Sequence, residues 1–474
     1  MQRSATAYSA WPISSLPKMI KSFIFCLLTF LTVHANNNKV TITVVVPPNS
    51  TTVPLHRPIS LSFHPTTEHL YIANMDNDSV TILTEHGATE KKDTLAYHYM
   101  THVSGISFNA DGTEFASCHD STNRYDAAEA WDPKRDWRWT DANVKVDLAA
   151  EAAEGKAGNN NMGPSLWRTN TYAVKNQKYG TEVWHKDKNG KTLYGSHIDM
   201  LHQSPRCVGI TFAHTTRVYY AIDDGWGLPA THGAVVRYDF SKDHGEGGSD
   251  HTVGKVHRLR GFMLTRVPGV ASQPVFDHTN QMLYIADTGG GRIVKLDVSS
   301  GVVSKDTPPY SIQNHKLDEY LYIDIGLHWS FGKNVLKYPS GLALRTEKDM
   351  LMLFVSDYET SQIHIFFAEN GEVARSPLDI ATTAGLQKHG LSGLTFGPSG
   401  KLWAAHATAP AIVSVTIPIV TNQPEEPELA PEDPVKPEEP VKPEATTSRG
   451  TTTVTSFGVV SGTCILAAYF LQYT

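Results

Sequence analysis

The sequence predicts an all-β fold, a six-bladed β-propeller between Arg57 and Ile417 with a loop-rich insertion between blades 2 and 3. Two observations predict it. A short inner-strand pattern occurs six times: PISLSF from Pro58, VSGISF from Val103, CVGITF from Cys207, SQPVFD from Ser272, PSGLAL from Pro339 and LSGLTF from Leu391. Each copy is followed, after a turn such as NADGTE or GPSGK, by a second apolar strand, for example LYIAN from Leu70, VYYAIDD from Val218 or LWAAH from Leu402. A third strand follows in several copies, at Val80, Ala234, Arg292 and Ile363. Strand, turn, strand, loop, strand, repeated, is the grammar of propeller blades, and self-similarity outranks local propensity as a guide to fold.

The elements follow in order. The apolar run Ser22 to Val33 has Lys18 and Lys21 before it and His34-Ala35 after it, the pattern of a signal peptide, so residues 1–35 are read as a leader. A single-span anchor is the alternative, although the run is short for one. The strand KVTITVVV (Lys39 to Val46) has no blade of its own and is expected to complete the last blade, closing the ring and removing exposed edges. Residues 36–420 form the propeller in this reading. The widest gap between blade starts, Val103 to Cys207, holds the insertion, about 120–200, which carries tryptophans at 131, 137, 139, 167 and 184. Inserted material on such a scaffold sits at a face, as lids and binding loops do.

Beyond the propeller, residues 421–447 are rich in Pro and Glu and read as an extended stalk. Residues 448–474 end in an apolar tail from Phe457 to Leu471, preceded by small residues and a polar spacer. That order suits a GPI-attachment signal, with a tail-anchored helix as the rival; either anchors the chain to a membrane. The sequons at Asn49 and Asn77 fit a secretory glycoprotein. Cys26 and Cys464 belong to the terminal segments, which leaves Cys118 and Cys207 either to form one disulfide or to remain buried thiols. The net charge of -7 excludes the basic field that nucleic-acid binding requires.

The stretch LYIADTGGGRIVKLD, with Asp287, its glycines and Arg292, resembles the strand-turn-strand signature of NHL repeats. Together with MGPSLW, GSHIDMLHQSPRCVGITF and AVVRYDFSKDHGEGGSDH, it resembles secreted NHL-type proteins with no established reaction. The resemblance implies the six-bladed architecture and names no activity, because such propellers serve as enzymes and as binding platforms. The amidating lyase that cleaves peptidyl-hydroxyglycine is a similar propeller with channel histidines on zinc. Here only His102 falls in register, with His56, His202 and His389 offset, so that chemistry is not carried over.

The residue before each inner strand stands at one mouth of the channel, which places Arg57, His102, Arg206, Val270, Tyr338 and Gly390 in a ring. Loops joining second to third strands add Asn74, Asp76, His119, Asp120, Asp223, Asp224, Asp287, Asp357 and His406 on the same face. Arginine offers forked donors, so this mouth suits an anionic or polyhydroxy ligand, although Asp at such turns commonly caps its own loop. Arg57, His102, His197, His202, Arg206, Asp224 and Tyr338 are the ligand-binding candidates. His197, His202, His244, Asp250 and His251 are the candidates for a divalent metal, zinc by their imidazoles or calcium by the oxygen-rich DHGEGGSDH. No GxSxG, HExxH or phosphate-cradling glycine loop is present. Two readings follow: a binding module for a carbohydrate, peptide or protein partner, and a metal-dependent hydrolase or lyase with its site at the channel mouth.

Overall fold

The computed structural model describes residues 32–34, 40–91, 100–121, 162–169, 197–202, 204–213, 216–224, 231–243, 251–306, 308 and 317–418. The described residues fall within the first of two compact units, which spans Met1–Val420; the leader, stalk and anchor readings lie outside them, save Thr32–His34.

In chain order, β1 (Thr32–His34) and β2 (Thr41–Val46) come first. Blade 1 is β3 (Pro58–Phe63), β4 (Leu70–Asn74), β5 (Ser79–Thr84) and β6 (Gly87–Lys91). Blade 2 is β7 (Val103–Phe108), β8 (Glu114–His119), β9 (Ser165–Arg168) and β10 (His197–Met200). Blade 3 begins with β11 (Gly209–Phe212), β12 (Val218–Asp223), β13 (His232–Asp239) and β14 (Lys255–Thr265). Blade 4 contains β15 (Pro274–Asp277), β16 (Met282–Asp287) and β17 (Arg292–Asp297). The chain then returns to blade 3 with β18 (Gly301–Val303) and β19 (Glu319–Ile325), and completes blade 4 with β20 (His328–Phe331). Blade 5 is β21 (Pro339–Glu347), β22 (Met350–Asp357), β23 (Gln362–Phe367) and β24 (Val373–Asp379). Last come β25 (Leu391–Phe396), β26 (Leu402–His406) and β27 (Ala411–Thr416).

The sixth sheet runs β25, β26, β27, β2, β1, so the N-terminal strand supplies the fourth strand of the last blade, with Thr41 opposite Thr416 and Val46 opposite Ile412. Inner strands touch in sequence β3, β7, β11, β15, β21, β25 and back to β3. The chain is a six-bladed β-propeller. The expected closure by Lys39 to Val46 is therefore found, in β2.

Burial follows distance from the axis. The second strands LYIAN, EFASCH and VYYAID are buried at every position, because a neighbouring blade covers each face. The outer strand GATEK alternates exposed and half-buried residues from Gly87 to Glu90 and ends on buried Lys91. Aromatic pairs fill five of the six seams: Tyr71 with Phe108 at 4.8 Å, Tyr220 with Phe276 at 5.5 Å, Phe331 with Phe366 at 5.6 Å, Phe354 with Phe396 at 5.0 Å and Phe63 with Trp403 at 5.4 Å. At the sixth, between blades 2 and 3, Cys118 and Cys207 form a disulfide with Cα atoms 5.2 Å apart. The bond closes a loop of 89 residues, which stabilises by about 4.6 kcal/mol in the chain-entropy account.

Two pieces of the segment read as an insertion are blade strands. Ser165–Arg168 pairs with β8, and His197–Met200 pairs with β9, so blade 2 draws its outer half from within 120–200. Sequence pattern missed them because rim strands of four residues carry too few positions to alternate. Apart from Asp120, Ser121, residues 162–164 and Thr169, the rest of that segment lies outside the described residues, with four of its five tryptophans.

Near the axis the inner strands approach too closely for side chains. A Cβ on Gly209 would lie 2.3 Å from the Ser272 carbonyl oxygen, one on Gly341 2.3 Å from that of Ser392, and one on Gly393 2.7 Å from Ser60 Cα. Gly393→Ala is therefore expected to destabilise the fold by about 1–3 kcal/mol, the usual cost of overpacking, read by chemical denaturation. Unchanged stability would mean that the strands can move apart.

Candidate functional site

Each blade ends its second strand in a polar residue that is fully buried: Asn74, His119, Asp223, Asp287, Asp357 and His406. Five of them hold the segment that leads into their own inner strand. Asn74 accepts from His56 N–H at 3.1 Å, Asp287 from Thr265 N–H at 2.6 Å and Asp357 from Lys337 N–H at 2.5 Å. Asp223 accepts from the Ser204 hydroxyl at 2.8 Å and pairs with buried Arg258, and His406 Nε2 donates to the Gln387 carbonyl at 3.0 Å. These side chains shape the mouth and are spent in doing so.

A second layer is different in kind. Arg57, His102 and Arg206 each stand one residue before an inner-strand motif, and all three have left-handed backbones, with φ of 54°, 48° and 51°. Such a conformation strains a residue with a Cβ and suits glycine. Arg57 Nη2 donates to the Gly269 carbonyl at 2.6 Å, which joins blade 1 to the loop before blade 4, the opposite blade of the ring. Gly269 is left-handed itself (φ 74°), and a Cβ there would meet Arg57 Nη2 at 2.8 Å. Arg57 also faces Asp76 at 3.6 Å. His102 takes Asp78 Oδ1 on its backbone N–H at 2.8 Å, and its ring nitrogen Nδ1 lies 3.3 Å from the Asp120 carbonyl. Arg206 pairs with Asp224 at 3.4 Å, and its backbone N–H donates to the Ser121 carbonyl at 2.8 Å.

Arg57, His102, Arg206 and Asp224 therefore share one face, connected through Asp120-Ser121 of blade 2 and the loop Arg266 to Gly269 before blade 4. Tyr338 lies on the same face by topology and is 37% exposed. Sequence reasoning missed Arg266. It is 3% exposed, its Nη2 donates to Asp120 Oδ1 at 3.0 Å, and its Nε and Nη1 are buried with no hydrogen-bond partner among the described residues. The signal available was a cation just ahead of the blade 4 inner strand, in RVPGV; its partner lies 146 residues away.

The histidine cluster sits elsewhere. His197 is on β10, the outermost strand of blade 2, edge-on to Trp167 at 6.2 Å. His251 Nδ1 is 2.8 Å from Asp199 Oδ1, both buried, and the His202 ring lies 5.0 Å from that of His251. This group occupies the seam between β10 and the segment leading into β14. His244 and Asp250 lie outside the described residues, and among the described residues no three His, Cys, Asp or Glu side chains gather as metal ligands. A cleft of about 350 Å³ on the rim, walled by Phe262 and Met263 of blade 3 and by Val294, His328 and Ser330 of blade 4, contains none of the sequence candidates.

No family model matches the chain, and no curated protein matches it. Solved structures do. A protein of unknown function from Bacteroides thetaiotaomicron is 8% identical, with a TM-score of 0.44 over 80% of this chain and 76% of that one. An auxiliary nutrient binding protein from the same organism is 12% identical, TM-score 0.43, over 81% and 78%. A luciferin-regenerating enzyme is 11% identical, TM-score 0.42, over 79% and 95%. The fold assignment rests on the strand pairing of the chain itself.

Burial pushes the imidazoles of His64, His364 and His406 below the ordinary histidine value of 6.5, and for His406 the hydrogen bond to Gln387 opposes this only in part. In the fold these rings resist protonation while the unfolded chain accepts it. Below about 6.5 the unfolded state therefore binds more protons, and stability falls as pH falls. The unfolding temperature is expected to drop between pH 7 and pH 5, less steeply in His364→Gln; a flat profile would contradict the assignment.

Proposed function

We propose that the protein is a secreted, membrane-anchored binding module whose ligand sits on the mouth face of the propeller. One observation carries the reading: at three equivalent turns that glycine would serve with less strain, the chain places Arg57, His102 and Arg206. Strain retained at three mouth positions, with side chains that no blade core needs, is what a recognition surface requires. The secretory half of the reading is supported by the leader pattern and by the Cys118–Cys207 disulfide, since such bonds persist in oxidising compartments. Removal of residues 1–35 would leave the last blade with four strands, the number in most of the others. Asn49 is exposed on the loop before blade 1 and is the better glycan acceptor, because the Asn77 amide donates to Glu90 at 2.7 Å.

The test separates function from stability. In Arg57→Gly and Arg206→Gly the backbone strain is relieved, so the unfolding temperature is expected to hold or rise, while binding on glycan and peptide arrays falls at least tenfold. Binding that survives both substitutions would place the site elsewhere. For the anchor, a phosphatidylinositol-specific lipase is expected to release the protein from intact cells; retention would favour a tail helix.

The second reading, a metal-dependent hydrolase or lyase, has in its favour only the Asp199–His251 imidazole–carboxylate pair with His202 beside it, which falls short of a ligand set among the described residues and lies at the seam between blades 2 and 3 rather than at the mouth. Zinc or calcium at one equivalent in the purified chain would favour it over the first.

A further inference from the structure

The charge balance of the mouth narrows the ligand. Among the described residues, each arginine of this second layer already faces a carboxylate: Arg57 faces Asp76, Arg206 faces Asp224 and Arg266 faces Asp120. Asp78, 7% exposed and bound to the His102 N–H, adds a fourth carboxylate. Among the described residues of this layer, three cations against four anions leave no net positive charge to attract an oxyanion. A sulfate or carboxylate would have to displace a resident Asp or share its arginine with it, and the desolvation of an added like charge would go uncompensated.

The same pairs leave hydrogen-bonding capacity of both kinds. Each contact engages one nitrogen of a guanidinium that carries five donors. Arg266 is the sharpest case, a side chain 1% exposed whose Nε and Nη1 have no partner among the described residues. Burying such donors unmatched is costly, and an acceptor oxygen from a ligand would recover that cost. At the rim the Arg57 and Arg206 side chains, 32% and 43% exposed, offer further donors, and Asp76, 60% exposed, offers acceptors. A hydroxyl group both donates and accepts, so a polyol can satisfy the arginine and the aspartate of one pair together. An oxyanion only accepts, and it leaves the aspartates repelled.

We infer that the ligand of the mouth is a neutral polyhydroxy compound, a sugar, with Arg266 as the buried donor that fixes it. This rests on the reading that the mouth is the binding face.

The experiment titrates the purified full chain, in a detergent free of sugar headgroups, with maltose, cellobiose, lactose, mannobiose, digalacturonate and a sulfated chondroitin disaccharide, by calorimetry at low and high salt. A neutral disaccharide is expected to bind with little change across salt, since no net charge is screened, and at least tenfold more weakly in Arg266→Met. Digalacturonate is expected to bind less tightly than the best neutral sugar. Should Arg266→Met fail to fold, Asp76→Asn serves instead: the neutral sugar weakens as an acceptor charge is lost, whereas on an oxyanion account digalacturonate would tighten. Tighter, salt-sensitive binding of the acidic sugars overturns the inference, as does a panel with no neutral binder at 10 mM. If Arg57→Gly abolishes some other ligand in that case, the mouth reading stands and the inference alone falls. If a neutral sugar binds and no mouth substitution affects it, both fall.

Discussion

The rest of the molecule depends on how closely six inner strands crowd the axis. Gly209, Gly341 and Gly393 sit where a single Cβ would strike the backbone of the next blade, at 2.3–2.7 Å. Backbone in such contact must satisfy its polar groups across the seam. Ser272 N–H donates to the Val208 carbonyl at 3.1 Å and Gln273 N–H to the Ser340 carbonyl at 3.0 Å. Inner-strand serines do the same with hydroxyls, Ser340 to the Ala271 carbonyl at 2.9 Å and Ser392 to that of Ile59 at 2.7 Å. The last bond joins blade 6 to blade 1, so the axial network closes only when the ring does. Strand Thr41–Val46 makes that closure cooperative by tying the start of the propeller to its end.

Crowding at the axis also fixes the mouth. Because the inner strands cannot shift, the residue entering each one is held at a set position and, in three blades, in a left-handed backbone. The fully buried polar residues that end the second strands hold the entry loops from below. What remains above them, among the described residues, is a shell of arginine, histidine and aspartate in which each arginine faces an aspartate. That shell is rigid by construction, which suits recognition of a ligand that offers many weak hydrogen bonds in fixed directions.

Much of the fold was legible in the sequence, and the reason is the same crowding. The Gly-containing inner-strand pattern occurs because the seams demand it, and the second strands read as continuous apolar runs because both faces are covered. The rim was not legible. β9, β10 and β20 have four residues each, and β18 and β19 extend blade 3 through a parallel pairing with β14 that no pattern announces. Counting from the inner strands located Arg57, His102 and Arg206. It could not find Arg266, whose partner Asp120 is distant in sequence, and it placed His197 and His202 with the mouth residues although they lie with His251 at the outer seam of blade 2.

Hydrogen exchange of the native chain tests the closure on which all of this rests. If the ring is held as described, amides of Ile42 and Val44 that pair with β27 exchange only through global unfolding, as slowly as those of the fully buried second strand Val218–Asp223. Exchange of Thr41–Val46 at rates well above that of β12, with β27 exposed in step, would show that the last blade opens independently, and would contradict an axis that closes as one unit.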